Sequence, residues 1–439
     1  MLPLFYLLIF LAPFIGLVMD WHSFDWTRQI PYLGSFDAPV ADFLAMIVLA
    51  GVFLKLLLLS FSRCHSEHSE ESSRNNIAQI SRLSKILHFT QDDKIGLLFF
   101  LPFFIISALS LWQVAPDQFN TSLKYLLRPI LFFYLMWVAL PIILIDSEKI
   151  LNKAIKIFFC AGSLSAVMGF ISLFSGQSIF GFWQRATPIS FWGLAPLGFN
   201  HNLLAEVLVA ALPLAFYLFV RHFGQAKKFY FFSALLIATI ALLTFARAAW
   251  LALAAQLLIY FLLSHNGQEK LHHLRQWALP ALLIIPLAVY MFLFSISPIV
   301  QSSNSTRLDL TGIAWTYFKL HPWLGNGVGT FVPLVESTRL FTMEYGDPLD
   351  AHGVIQKIMA EQGLLGLIAF FVFVGWVLAR IWRGWKTVVP DNKLLLLCFF
   401  MSVSGSLVYQ LFNTSYYNAH LWLPVGLALA AVKLYEPKN

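Results

Sequence analysis

Charged residues are scarce in this chain of 439 residues, at 12% of the sequence against 59% hydrophobic residues. Mean hydropathy is +0.73, and a soluble domain of this size needs more charge to cover its surface. Its few cysteines, Cys64, Cys160 and Cys398, show no Cys-x-x-Cys spacing, so neither a disulfide framework nor a thiolate zinc site is indicated. The composition indicates a polytopic membrane protein.

Apolar segments long enough to cross a membrane, at roughly 20 residues each, recur along the whole chain. We predict an all-α polytopic membrane protein formed by one domain, residues 1–439. About twelve transmembrane helices are expected, near residues 1–19, 40–62, 95–113, 123–145, 153–174, 200–220, 229–245, 248–264, 277–297, 363–385, 394–412 and 416–434. The first segment is long enough to remain as a span, and no cleavable signal is evident.

The basic residues indicate the orientation. With both termini placed in the cytoplasm, most of the 29 lysines and arginines fall in inside segments, as the positive-inside rule requires. Residues 298–362 then form one large loop on the outer side of the membrane, and the net charge of +7 is explained without nucleic acid. The cytoplasmic segment 63–94 contains a run rich in His and Glu, which we interpret as a solvated linker because no metal-ligand spacing is enforced.

The loop at 298–362 is where chemistry is expected, because polar groups cost several kcal/mol in hydrocarbon. Apolar residues at helical spacing predict an interfacial helix over 309–320. The glycine-rich stretch 325–329 predicts a tight backbone turn, since it lacks the Lys-Ser/Thr pair of a phosphate loop. His352 opens a helix predicted over 354–361, and the free N–H groups at a helix start favour an anion.

Three polar residues outside this loop also stand near the predicted outer membrane edge. Arg247 falls at a tight turn between two spans, where the alternatives are a snorkelling side chain and an anion contact. Glu206 lies about one turn inside the sixth span, four residues after Asn202, and an acid at that depth is a functional candidate by default. A structural Glu206–Arg247 ion pair is the alternative.

Two segments of the chain, STRLDLTGIAWTYFKLHPWLGNGVGTF and AHGVIQKIMAEQGLLGLIAFF, resemble the signature of the O-antigen ligase and polymerase superfamily. That pattern runs Arg, a later Trp, His-Pro-x-x-Gly-x-Gly, then His-Asn-x-x-Leu-Gln and Glu-x-Gly-x-x-Gly. FNHNLLAEVLVAALPLA and TFARAAW are similar to its Asn-bearing sixth span and its Ser-Arg-Gly turn. The resemblance covers about residues 195–375. Gly353 replaces the usual Asn, and Ala246 and Ala248 replace the Ser and Gly around the arginine.

The resemblance implies a bacterial inner-membrane glycosyltransferase of the C-type helical architecture, which takes a glycan from undecaprenyl diphosphate on the periplasmic face. A diphosphate is already a good leaving group, so such an enzyme chiefly needs positive charge to stabilise it and a base for the acceptor hydroxyl. Arginine donates a fixed fork of N–H groups to phosphate oxygens and can substitute for a metal. No Asp-x-Asp motif occurs in the outside loops, which favours a mechanism without metal or other cofactor.

Candidate site residues follow from this pattern. We predict Arg247 and Arg307 as diphosphate ligands and His352 as the general base or, alternatively, as a cationic contact to the diphosphate. The expected substrate-binding residues are Asn202, Glu206, Arg185, Trp315 and Gln356.

The expected reaction moves a polymerised glycan to the lipid A-core acceptor, with inversion at the anomeric carbon. A polymerase that joins repeat units on the carrier and a ligase with a protein acceptor are alternatives within the superfamily. A transporter of lipid-linked glycan is the alternative of another class. No clear twofold repeat of broken helices supports it, and transport does not require one long outside loop bearing Arg and His.

Overall fold

The structure is a computed structural model of the chain. It describes residues 1–14, 16–19, 38–66, 91–175, 178–179, 183–191, 194–263, 298–413 and 419–436. Within these ranges the chain is helical apart from turns and pairs of two-residue strands, so the predicted all-α class is confirmed. The predicted span at 277–297 and most of the predicted linker at 63–94 lie outside the described residues.

The first half of the chain begins with α1 (Leu2–Leu11), α2 (Val40–Ser66), α3 (Gln91–Ser110), α4 (Phe119–Tyr125), α5 (Leu140–Leu144) and α6 (Glu148–Ser175). Strand β1 (Val18–Met19) pairs antiparallel with β2 (Ala38–Pro39), and β3 (Ser178–Ile179) with β4 (Trp183–Gln184). Between α4 and α5 the backbone adopts π-helical geometry over Leu126–Phe132 and Tyr134–Ala139. Pro129 interrupts the ladder there because it has no backbone N–H.

The second half contains α7 (His201–Arg221), α8 (Gly224–Leu243), α9 (Arg247–Leu263), α10 (Pro298–Leu320), α11 (Phe331–Ser337), α12 (Arg339–Tyr345), α13 (Val354–Thr387), α14 (Pro390–Gln410) and α15 (Ala419–Tyr435). Helices α7 and α14 lie at the centre: α7 packs on α6, α8 and α14, and α14 packs also on α9, α13 and α15. Small residues allow the close approach, as where a Cβ placed on Gly162 of α6 would come within 2.5 Å of the Ala211 Cβ on α7.

Seven helices of the described chain are long and apolar enough to cross a membrane: Gly96–Gln113, Phe119–Leu144, Glu148–Phe174, His201–Arg221, Gly224–Leu243, Val354–Thr387 and Pro390–Gln410. Each corresponds to a predicted span, so a polytopic membrane protein is supported. Shorter apolar helices occupy Leu2–Leu11, Arg247–Leu263 and His420–Tyr435. The helix in the predicted span at 1–19 is shorter than predicted. It ends at Leu11, and Pro13 supplies no N–H to extend it. The count of twelve stays a prediction.

The described part of the large loop has its own small core, separate from the bundle. It consists of the buried residues Leu310, Ala314, Phe331, Val335, Phe341, Ala351 and Ala360. The predicted interfacial helix at 309–320 is part of the longer α10, which starts at Pro298. The predicted tight turn is confirmed, since Gly325, Gly327 and Gly329 adopt φ of +69°, +111° and +77°, a region that side chains disfavour.

Helix α13 combines the predicted loop helix with the predicted span at 363–385, joined at a kink. Gly363 has a φ of +67° and ψ of −163° inside the helix. A Cβ there would lie 2.5 Å from the Trp323 carbonyl carbon, so only glycine allows the loop turn to pack against the kink. The carbonyl oxygens of Pro322 and Trp323 accept from Leu364 N and Leu365 N at 2.8 and 3.2 Å, which anchors the kink of α13 to the loop.

Candidate active site

Five basic side chains gather where the starts of α7, α9 and α13 meet α10: Arg185, His201, Arg247, Arg307 and His352. We call them the cationic cluster. Arg185 Nη1 lies 3.5 Å from His201 Nδ1, Arg307 is within electrostatic range of His201, and both Arg307 and Arg247 are within range of His352. All three predicted catalytic residues therefore lie in one cluster, together with the predicted substrate-binding residue Arg185.

The turn before α9 directs Arg247 toward α10. Phe245 adopts a φ of +52°, and the Thr244 hydroxyl accepts from Ala246 N at 3.3 Å while donating to Ala241 O at 2.7 Å. These bonds support a left-handed backbone that costs a non-glycine residue roughly 1 kcal/mol or more. The Arg247 guanidinium donates to Asn304 Oδ1 and, at 3.2 Å, to Ser303 Oγ. Asn304 precedes Arg307 by about one turn of α10.

Arg185 joins the cluster through a backbone contact that its sequence position did not indicate. Ala186 N donates to Leu243 O at 2.9 Å, so the loop before α7 is attached to the end of α8, next to Arg247. Burial, and secondly the charge of Arg247, lower the pKa of Arg185. Its Nε is buried with no hydrogen-bond partner among the described residues. A buried, unpaired N–H is costly, and an anion at this position would satisfy it.

His352 is set up to be a neutral imidazole. Burial, then the charges of Arg307 and Arg247, lower its pKa to about 4, and Asp350 opposes this only in part. Burial, which contributes most to this lowering of the pKa, could not be predicted from the sequence. At neutral pH the side chain can accept a proton, as a general base must.

Helix α13 holds His352 against α10 through Gln356, which was predicted to bind substrate. Gln356 Nε2 donates to Thr311 Oγ1 at 2.9 Å, and the Thr311 hydroxyl donates to Arg307 O at 2.7 Å. The Gln356 Oε1 is buried and has no partner among the described residues. A Cβ on Gly353 would lie 2.0 Å from that oxygen and 2.8 Å from Leu411 O, so glycine replaces the family's Asn for lack of space.

A buried ion cluster supports the segment before α13, and sequence reasoning missed it. Lys357 Nζ donates to both Asp350 carboxylate oxygens at 2.7 Å and lies 3.6 Å from Glu361 Oε1. Lys357 is 1% exposed and Glu361 fully buried. Glu361 Oε1 also accepts from Phe331 N at 3.1 Å. Asp350 precedes His352 by two residues, so Lys357 fixes the approach of the histidine. The i, i+4 spacing of Lys357 and Glu361 was the available sequence signal.

The remaining predicted residues lie at or beyond the edge of the cluster. Asn202 is in the first turn of α7, where its N donates to the Asn200 side chain at 2.9 Å and its O accepts from Tyr409 Oη at 2.7 Å. Trp315, two turns after Arg307 on α10, is 50% exposed and stacks on Phe318 with ring centroids 5.3 Å apart.

Glu206 belongs to a second group further along α7, which we call the inner polar cluster: Glu206, Gln410 and His420. Glu206 is fully buried; its Oε1 accepts from Gln410 Nε2, and its Oε2 lies 3.5 Å from His420 Nδ1. The sequence left a Glu206–Arg247 ion pair as an alternative. In the structure Glu206 instead contacts Gln410 on α14 and His420 on α15. No three His, Cys, Asp or Glu side chains in the described ranges gather as possible metal ligands.

Comparison with protein families identifies a segment that carries three of the five residues of the cationic cluster. Residues 232–371 match the family model described as O-Antigen ligase. The match extends from α8 to the first half of α13 and includes Arg247, Arg307 and His352, and it confirms the resemblance to the O-antigen ligase superfamily. It supports an enzyme of the ligase or polymerase type. No curated protein matches the chain.

Proposed function

We propose that this chain, which carries an O-antigen ligase segment, is a metal-independent, inverting glycosyltransferase that moves a glycan from undecaprenyl diphosphate to lipid A-core. The observation that carries the proposal is the cationic cluster. It places Arg307 and Arg247 near His352, whose pKa is lowered to about 4, and Arg185 beside His201. The starts of three helices lie there, and their free N–H groups also favour an anion. A diphosphate ester has the charge and the number of oxygens to accept these donors.

The arginines would act on the leaving group. Arg247, Arg307 and Arg185 would hold the diphosphate oxygens, and the burial of Arg185 strengthens its attraction for an anion because little water screens it. Negative charge grows on the diphosphate as the anomeric carbon–oxygen bond breaks, so fixed guanidinium groups stabilise the transition state more than the bound donor.

His352 would act on the acceptor. A hydroxyl oxygen of the acceptor sugar attacks the anomeric carbon from the face opposite the diphosphate, the bond to the diphosphate oxygen breaks, and the configuration inverts. The hydroxyl proton moves to the neutral imidazole of His352, and undecaprenyl diphosphate leaves. Cleavage of the bond between the anomeric carbon and the diphosphate oxygen supplies the driving force, so no nucleotide is required. We expect Gln356, Asn202 and Trp315 to bind sugar groups.

The proposed topology places this chemistry in the periplasm. About twelve spans in the bacterial inner membrane, with the C-type architecture and both termini inside, leave residues 298–362 outside. The distribution of Lys and Arg supports this orientation. The partners are then the carrier-linked glycan, the lipid A-core acceptor and membrane lipid, and nucleic acid is not among them.

Transfer with purified components tests the proposal. The full-length protein in detergent or nanodiscs is mixed with undecaprenyl diphosphate-linked glycan and lipid A-core, and the ligated product is measured with and without EDTA. We expect ligation that EDTA does not abolish. Longer carrier-linked polymer would instead identify a polymerase, and glycan on an added acceptor protein a protein ligase. Movement of the donor across a vesicle membrane without bond formation would identify a transporter and overturn the proposal.

A further inference from the structure

A cleft of about 450 Å³ opens on the loop between α10 and the α11–α12 pair. It is distinct from the cationic cluster: none of that cluster's members lines it. Helix α10 contributes Asp309, Gly312 and Tyr317 to one side, and α12 contributes Glu344 and Tyr345 to the other. The cleft therefore lies on the same helix as Arg307 but on another face.

The chemistry of the lining excludes an anionic ligand. It contains two carboxylates, Asp309 and Glu344, and no Lys, Arg or His, so a phosphate or uronic acid would be repelled. Carboxylates accept hydrogen bonds from hydroxyl or ammonium groups, while the rings of Tyr317 and Tyr345 offer apolar faces with polar edges. This combination fits a sugar, which presents hydroxyls at its rim and C–H groups on its faces.

The polar groups of the cleft are already oriented by their neighbours. Tyr345 Oη donates to Asp309 Oδ2 at 2.7 Å, and Tyr317 Oη lies 2.7 Å from Ser337 Oγ. The Phe341 and Tyr345 rings lie with centroids 4.7 Å apart. A ligand would meet donors and acceptors held in place, which lowers the entropy cost of binding.

Gly312 forms an open position in the wall contributed by α10, and no packing inside the protein requires it. A Cβ placed there would meet no atom within 4 Å. Glycine is a poor helix former, so its presence in the middle of α10 has no explanation in helix stability or in a close helix contact. Its effect is to leave the cleft open along α10.

The cleft is within reach of a glycan held at the cationic cluster. Successive residues of an α-helix are rotated by about 100°, so Leu308 and Gly312 line the face of α10 next to that of Arg307 and Thr311. A saccharide chain leaving the diphosphate would cross one helix, roughly 10 Å wide, to enter the cleft.

We propose that this cleft binds sugar residues of the carrier-linked glycan beyond the one that reacts, and that these are neutral or amino sugars. The inference rests on the proposed function for the identity of the glycan. The cleft would give the enzyme a preference for donors that carry several repeat units over donors that carry one.

Two variants of one residue test the cleft. Gly312→Phe places a ring in it, and Gly312→Ala adds one methyl group to open space and serves as the matched control. The probe is the producing strain's own polysaccharide, released from its carrier by mild acid. Its binding to the full-length protein in nanodiscs is measured by calorimetry. We expect Gly312→Phe to weaken binding roughly tenfold or more, and Gly312→Ala to bind like the wild type.

A variant at a second residue tests the cleft in case Gly312→Phe does not fold. Glu344 is exposed, so Glu344→Gln preserves the fold while removing one charge, and we expect it to weaken binding severalfold. Arg307→Ala should bind the released polysaccharide like the wild type, because this probe has no diphosphate. Equal affinity of the wild type and Gly312→Phe, or no binding by the wild type, would overturn the inference. The inference would also be overturned if Gly312→Phe disrupts a dimer and leaves sugar binding unchanged.

Donor length separates this inference from the proposed function. The wild type should transfer a long donor with higher kcat/KM than a single-repeat donor, and Gly312→Phe should remove that difference. If the wild type transfers nothing but binds the polysaccharide in a manner sensitive to Gly312→Phe, the cleft stands and the transferase proposal fails. If Gly312→Phe transfers both donors like the wild type, the cleft assignment fails while the transferase proposal stands.

Discussion

The cationic cluster and the inner polar cluster share helix α7 but treat charge in opposite ways. In the inner polar cluster one carboxylate oxygen of Glu206 accepts from Gln410, and the other lies 3.5 Å from His420 Nδ1. In the cationic cluster like charges are placed together, and burial, then the charge of Arg247, lowers the pKa of Arg185. A carboxylate that has partners inside the protein is expected to contribute to structure, whereas a group of buried charges of one sign is a candidate site for a ligand of the other sign.

The largest effect should follow from loss of His352. We expect His352→Ala to lower turnover roughly 10²–10⁴-fold, with carrier binding little changed, because the base acts only on the acceptor. The wild type has a His352 pKa of about 4, so its activity should stay level from pH 9 to about pH 5 and fall as the imidazole is protonated near that pKa. Activity that rises as the pH falls through this range would contradict the base assignment, and full activity of His352→Ala would contradict both roles considered for it.

Replacement of the arginines should have the next largest effect. Arg307→Ala or Arg247→Ala should each lower turnover about 10²–10³-fold, the usual cost of removing one transition-state donor. Lysine should restore only part of the rate because it lacks the planar fork. Arg339→Ala, in the same loop at the start of α12, is the matched control and should transfer like the wild type. Wild-type turnover by folded Arg307→Ala would show that the diphosphate binds elsewhere.

Replacing Glu206 in the inner polar cluster should have a smaller effect on turnover but a clear effect on stability. Glu206→Ala removes an acceptor of the buried Gln410 Nε2, at a cost of about 1–3 kcal/mol in the free energy of unfolding. Glu206→Gln keeps an acceptor oxygen and should be closer to the wild type. Melting temperature and turnover per folded molecule are measured for both. Unchanged melting with lost turnover would return Glu206 to the substrate-binding role predicted from the sequence.

Sequence and structure agree best where the chemistry has a local signature. Arg247 and His352 could be predicted because each stands beside a turn or a helix start, and Arg307 because it opens the segment with the family-like pattern. The predicted topology placed all three on one side of the membrane. The partner of Glu206 could not, because Gln410 lies 204 residues later in the chain and only the packing of α7 on α14 joins them. For the same reason the sequence named Arg185 as a substrate-binding residue without its neighbours, since its position depends on the contact of Ala186 with Leu243.

The variants with the smallest expected effect on activity test on which side of the membrane the cationic cluster lies. Cysteines placed at Ser337 in the loop and at Asp391 at the start of α14, in a variant with its own cysteines replaced, should leave transfer unchanged. An impermeant maleimide should label Ser337→Cys from the periplasm and Asp391→Cys only after the membrane is opened, because the distribution of Lys and Arg places them on opposite faces. Labelling of both from one side would overturn the predicted topology.

The central claim, that the cationic cluster is the diphosphate site, is tested most directly by the binding of undecaprenyl diphosphate without any glycan. Its affinity for the full-length protein is measured in nanodiscs for the wild type, Arg307→Ala, Arg185→Ala and His352→Ala. The account predicts roughly tenfold or greater weakening for each arginine variant and little change for His352→Ala. Equal affinity of all four proteins, or loss of binding in His352→Ala alone, would contradict it.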